Sequence, residues 1–136
     1  GINILTAKSN QACNYLGSIT LKVVTDKDEK VVQAALITEE SPRFVKINKY
    51  NTSIKPEKHI LLVPHENKPS MIAKVATALG DDGHNINRME VVQKSGEKDN
   101  ESIMIINTDE TVEHATIEKI NSIDGVSIAK CVNIKI

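Results

Sequence analysis

The sequence predicts an α+β protein in which β-hairpins precede a β-α-β-β-α-β unit. Three observations carry this. "SITLKVVTDKDEKVVQAALIT" alternates apolar and polar residues on either side of a charged turn. Two later segments, opening at Pro69 and Thr111, carry apolar residues at helical spacing. Between these regions "KPEK" (55–58) interrupts strand and helix patterns alike, because Pro56 fits neither.

The elements follow in order. Residues 2–5 read as a short strand, and 6–15 as a modest helix weakened by Ser9 and Asn10. A strand core so close to the start suggests a piece of a longer chain. Ile19, Leu21 and Val23 alternate with Thr20 and Lys22, a turn follows at 26–29, and residues 31–37 return as the second strand. "RFVKINKYNTSI" is a second hairpin turning at Asn48-Lys49. After the linker, 59–63 is an apolar strand and 69–80 a helix. Pro69 suits its first turn, and Ile72, Val75, Ala76 and Leu79 line one face. Strands are expected at 85–94 and 102–107, around the polar turn "SGEKDNE". A helix at 111–123 and a last strand at 126–136, turned by Asp124-Gly125, complete the unit.

This is the split order of ferredoxin-like folds, with both helices on one face of an antiparallel sheet. The expected organisation is a partial small α/β module with β-hairpins at 1–57 and a ferredoxin-like domain at 58–136. "ILLV" and "IMII" are apolar at consecutive positions, as strands buried on both faces are. The face without helices therefore needs a cover, and self-association is the expected one.

Composition narrows the function. The 136 residues carry a net charge of -1, so no basic field draws nucleic acid or an anionic membrane. Aromatics are 2% with no Trp, which removes base-stacking platforms. No apolar run approaches a membrane span of roughly 20 residues, and no signal-peptide pattern opens the chain. Cys13 and Cys131 stand far apart and read as reduced thiols of a cytoplasmic protein. The four histidines show no i, i+4 pairing, so no metal site is expected. No P-loop, no G-x-G-x-x-G and no G-x-S-x-G occurs, and no catalytic residues are expected.

The informative stretch is "LLVPHENKPSMIAKVATALG". A helix beginning after a strand presents unpartnered N–H groups and the positive end of its dipole, a seat for a carboxylate. His65 and Asn67 stand two apart just before that turn, and Asn85 opens the next strand, where the helix returns the chain close to its start. Three neutral hydrogen-bonding side chains beside a helix N-terminus suit a small zwitterion. On spacing alone, the plainer reading also stands: Asn67 caps the turn and His65 is solvated.

"HILLVPHENKPSMIAKVATALGDDGHNINRMEV" resembles the regulatory ACT domain of the D-3-phosphoglycerate dehydrogenase family. The resemblance rests on the His-x-Asn-x-Pro turn, the helix ending at a Gly and the Asn-Ile-Asn start of the next strand. Upstream, "ITLKVVTDKDEKVVQAALI" and "PRFVKINKY" resemble the intervening, or allosteric substrate-binding, domain that precedes ACT in longer forms of the enzyme. The resemblance implies a non-catalytic regulatory fragment for feedback control. It carries no cofactor of its own, the NAD belonging to the full-length oxidoreductase of L-serine biosynthesis. ACT domains of the family pair side by side through their sheets as homodimers, with tetramers in full-length forms, and bind L-serine at the interface. His65, Asn67 and Asn85 match the serine-contacting positions; Arg43 and Lys55 match basic residues that bind phosphate-bearing or carboxylate ligands. Two positions depart from the family. Ser70 replaces a Gly, and its Cβ narrows a ligand's approach to the backbone. Lys49 replaces the Gly of an Asn-Gly turn, and because Lys tolerates positive φ poorly a longer turn is expected. The alternatives are the β chain of iron–sulfur L-serine dehydratase, which carries similar modules, and an ACT dimerisation module without ligand.

Overall fold

The computed structural model describes residues 3, 5–8, 15–94 and 100–135. The fold is α+β, as predicted: among these residues there are eight strands in two four-stranded antiparallel sheets, with two helices. The first two expected elements, at 2–5 and 6–15, lie largely outside the described residues; residues 3, 5–8 and 15 are in neither strand nor helix. Cys13 is also outside them, and Cys131 is a free thiol.

The first sheet is a meander of β1 (Gly17–Val24), β2 (Glu29–Leu36), β3 (Pro42–Ile47) and β4 (Tyr50–Ile54). Thr25 shapes its first turn. The hydroxyl accepts the Asp28 N–H at 3.0 Å and donates to the Asp28 carbonyl at 3.0 Å, a local competitor to the ladder. The β3–β4 turn is only two residues long, with Ile47 opposite Tyr50, against the longer turn expected from Lys49. The reason is that only Asn48 takes a left-handed conformation (φ 52), so Lys49 is never asked to. Asn48 also accepts the Val31 N–H through its side chain at 3.1 Å, tying the turn to β2.

The second sheet contains β5 (His59–Glu66), β6 (Ile86–Gln93), β7 (Glu101–Thr108) and β8 (Lys130–Asn133), in spatial order β6-β7-β5-β8. Helices α1 (Met71–Asp81) and α2 (His114–Asn121) lie on one face. There Leu61, Val63, Met104 and Ile106 meet Met71, Val75 and Leu79 of α1 and Ile120 of α2. Helix α1 ends in a glycine cap. Gly83, at φ 82, donates to the Gly80 carbonyl while His84 donates to that of Leu79, the paired bonds of a Schellman cap. Helix α2 starts three residues later than expected, because Glu113, at φ -70 and ψ 155, is extended and stands as its N-cap.

The opposite face is covered from within the chain. Ile60, Ile103 and Ile105 pack against Ile47, Tyr50 and Ile54 of the first sheet. The molecule is therefore three layers, helices on sheet on sheet, and this face needs no second copy. Burying each such side chain stabilises by about 1.5–3 kcal/mol. Glu90 of β6 pins the edge of the contact, accepting from the Thr52 hydroxyl at 2.8 Å and the Ser53 N–H at 3.4 Å. Asn107 interrupts the apolar character of the sheet: it is fully buried, and its side-chain nitrogen and oxygen both lack partners. Such a group costs about 1–3 kcal/mol.

Candidate functional site

The β5–α1 turn builds a cleft of about 460 Å³, lined by His65, Asn67, Pro69, Ser70 and Ile72, with Val91 of β6 on its far wall. The end of β5 is clamped from both sides. His65 is level with Ser102 of β7 and bridges to Val126 on the other flank; the Glu66 N–H donates to the Gly125 carbonyl at 2.8 Å. One residue on, the Asn67 N–H donates to the Asn100 carbonyl at 2.6 Å. The turn is thus a fixed frame, not a free loop.

His65 points to the helix-covered side and is 4% exposed. Its Nδ1 lies 3.0 Å from the Val63 carbonyl. A carbonyl only accepts, so Nδ1 carries a proton, which in a neutral imidazole leaves Nε2 as the acceptor. Asn67, two residues further, is exposed. The two residues therefore share the cleft at different depths.

Ser70 governs the helix start. Its φ of 68 and ψ of 1 are left-handed, and its side chain makes no capping bond. This is why α1 begins at Met71 and why a Gly would suit the position: a side chain there costs roughly 1–2 kcal/mol. The first bond of the helix runs from the Lys74 N–H to the Ser70 carbonyl at 3.0 Å. The N–H groups before it have no intrahelical acceptor, and no acidic residue stands in the first turn to take them. That end of α1 is open to an anionic group.

A charge cluster flanks the turn that sequence reasoning missed. Lys68 Nζ bonds Asp124 at 2.7 Å and Glu66 at 3.1 Å, and these carboxylates hold its pKa above the ordinary lysine value. Lys68 in turn keeps the Asp124 carboxyl below the usual aspartate range. The cation is thereby neutralised beside the cleft. Gly125, at φ 94, passes so close that an added Cβ would lie 2.6 Å from Lys68 Cε. The dipeptide Asp124-Gly125 was legible as a turn; its partnership with Lys68 had no sequence signal.

The remaining expected site residues fall elsewhere. Asn85 lies at the opposite end of the sheet. Ile86 is level with Thr108, whereas Gln93 is level with Ser102, the partner of His65. The return of the helix does not bring it back to the cleft within one chain; it bonds Asp109 and Asn87 instead, at 3.0 and 3.2 Å. Arg43 of β3 pairs with Ala35 of β2, and Lys55 follows the end of β4, one residue past the last registered pair, Phe44 with Ile54. The Arg43 guanidinium donates to the Ser53 carbonyl at 3.3 Å. A wider crevice of about 1040 Å³ opens between the β3–β4 turn and the end of β5, sharing His65 with the cleft. Among the described residues, no three His, Cys, Asp or Glu side chains gather to hold a metal, and no helix is long and apolar enough to cross a membrane.

Fold and cleft together define a two-sheet α+β unit with a small, mostly apolar cleft, edged by a few polar side chains, at a strand-to-helix turn. Its similarity is to D-3-phosphoglycerate dehydrogenases. It is 30% identical over 133 residues to that of Methanocaldococcus jannaschii, 28% over 134 to that of Bacillus subtilis, and 25% over 134 to that of Synechocystis. Each match covers 98% of this chain. The chain spans about a quarter of the length of these relatives, 24–25%. No family model matches the chain.

Proposed function

We propose that the chain is a regulatory unit of a D-3-phosphoglycerate dehydrogenase, an intervening-type module at 1–57 and an ACT domain at 58–136, that binds L-serine and catalyses nothing by itself. The observation that carries this is the β5–α1 cleft, where a buried histidine acceptor faces an uncapped helix start. A serine carboxylate fits the free N–H groups of α1, its hydroxyl fits the lone pair of His65 Nε2, and Asn67 offers an amide oxygen to the ammonium.

One chain supplies only part of this site, since Asn85 is at the far end of β6. A second copy supplies the rest. Strand β6 is an outer strand of its sheet; its own Val91 is 41% exposed, and Ile72 of α1, which lines the same cleft, is 50% exposed. Antiparallel pairing of two β6 edges about Met89 sets position 85 of one copy opposite position 93 of the other, the row of His65. Serine then bridges two chains and binds only the paired state. Its effect on a parent enzyme is a coupling between sites, typically about 1–3 kcal/mol.

Calorimetric titration with L-serine tests this. His65→Ala and Asn85→Ala are each expected to abolish uptake. A 1:1 mixture of the two variants restores one intact site per mixed pair, about a quarter of all sites on random association. Unchanged affinity in Asn85→Ala, or no recovery on mixing, removes the shared site.

A further inference from the structure

The chain contains two Asp-Gly pairs, Asp82-Gly83 and Asp124-Gly125, and no Asn-Gly pair. Such a pair is chemically labile wherever the Gly nitrogen can reach the preceding carboxyl, because no Cβ stands in the way. The fold treats the two pairs in opposite ways. At the end of α1 both carboxylate oxygens of Asp82 are held, one by the Thr116 hydroxyl at 2.7 Å and the other by Lys119. The Gly83 N–H donates to the Gly80 carbonyl at 3.0 Å, and the Asp82 side chain is only 21% exposed. Neither reacting group is free.

Asp124-Gly125 is the reverse. The Val126 N–H donates to the Ile123 carbonyl at 3.0 Å, which closes a turn with Gly125 at φ 94. Among the described residues no acceptor takes the Gly125 N–H. The Asp124 side chain is 92% exposed, and Lys68 Nζ bonds its Oδ2 alone. Among the described residues Lys68 is therefore the one restraint on this carboxyl. It fixes one oxygen, and it keeps the group ionised to a lower pH than an ordinary aspartate.

We infer that Asp124-Gly125 is a site of spontaneous isoaspartate formation, restrained by Lys68, and that the change undoes the clamp on the end of β5. The Gly125 nitrogen attacks the Asp124 carboxyl carbon and gives up its proton. The carboxyl, which must be protonated, loses its hydroxyl as water, and a succinimide ring closes. Water then opens the ring at the carbonyl next to Cα. The main chain now runs through the side-chain carbons and is longer by a single atom, with no net change in composition. That extra carbon falls where there is no slack. The Gly125 carbonyl accepts the Glu66 N–H at 2.8 Å, and the Ser127 N–H donates to the Pro64 carbonyl at 2.9 Å. Beside Gly125 there is no room either, since a Cβ built there would lie 2.6 Å from Lys68 Cε. The inference rests on this turn alone and not on the serine reading.

Ageing the chain at neutral pH and body temperature tests this, with isoaspartate read by enzymatic carboxyl methylation and located by peptide mapping. Label should accumulate at residue 124 and not at residue 82. Lys68→Met should raise the rate at 124 severalfold and leave 82 unlabelled. Lys68→Arg, which can keep the ion pair, should stay near the unmodified rate. Asp124→Glu, whose ring closure would need an additional atom, should take no label there. In the aged chain, hydrogen exchange should show the Glu66 and Ser127 amides losing protection in proportion to the label. No label at 124, equal label at both pairs, or a rate that Lys68→Met leaves unchanged overturns the inference. So do Glu66 and Ser127 amides that stay protected in the isomerised chain.

Discussion

Ser70 sets the most direct trade between stability and binding. It holds a left-handed backbone with a side chain that caps nothing, so its Cβ is strain without return. Replacing it by Gly removes that strain and widens the cleft at the helix start. Ser70→Gly is expected to stabilise the chain by about 1 kcal/mol, the lower end of the left-handed penalty. Urea denaturation measures the stability, and calorimetry should show L-serine binding more tightly in the variant. A destabilised Ser70→Gly would mean that the hydroxyl has a partner worth more than the strain. The residue scale also shows what sequence can and cannot hold. That Ser70 stands where the family resemblance leads one to expect Gly was visible; that it would keep the glycine conformation was not, because φ is settled by the frame around β5. His65 was legible as a candidate, but its committed Nδ1 depends on the Val63 carbonyl two residues back in a strand whose side chains alternate.

At the scale of elements, the periodic segments were legible and the long-range pairings were not. Helix α1 announced its end through a Gly but not its start, which falls at Met71, past the Pro69 expected in its first turn, because Ser70 is left-handed; the hairpins announced their alternation. The reach of Asn85 failed because a helix of 11 residues carries the chain along the sheet, not back to its start. The tie between helices had no signature either. Asp82, at the end of α1, accepts from the α2 Thr116 hydroxyl at 2.7 Å and pairs with Lys119. Lys119 first, then Thr116, hold its carboxyl below the ordinary aspartate pKa of 3.8. A carboxyl depressed on folding contributes stability that is complete above the unfolded value and lost as pH falls through the folded one. The melting temperature of the unmodified chain should therefore exceed that of Asp82→Asn at neutral pH. The gap should close below 3.8. A gap independent of pH would assign the effect to packing instead of charge.

The whole molecule is organised by the layer between its two sheets. The sequence showed that the second sheet needed cover on its open face and led to an expectation of self-association; β3 and β4 supply the cover instead, and nothing local in the sequence marks them for it. Ile54 is fully buried where the sheets meet, just before the 55–58 segment that links the first sheet to the second. If that layer holds the modules together, a change within it must be felt by both. Ile54→Ala leaves a cavity and should cost about 2–5 kcal/mol, shifting one shared denaturation midpoint with little change in slope. Hydrogen exchange makes the test local: amides of β2 and β3 and those of β5 and β7 should lose protection together. If only the first sheet loosens while β5 and β7 keep their protection, the modules are independent folding units that merely touch. The cover on the open face would then be too weak to transmit an effector bound at the β5–α1 cleft to whatever lies beyond β1.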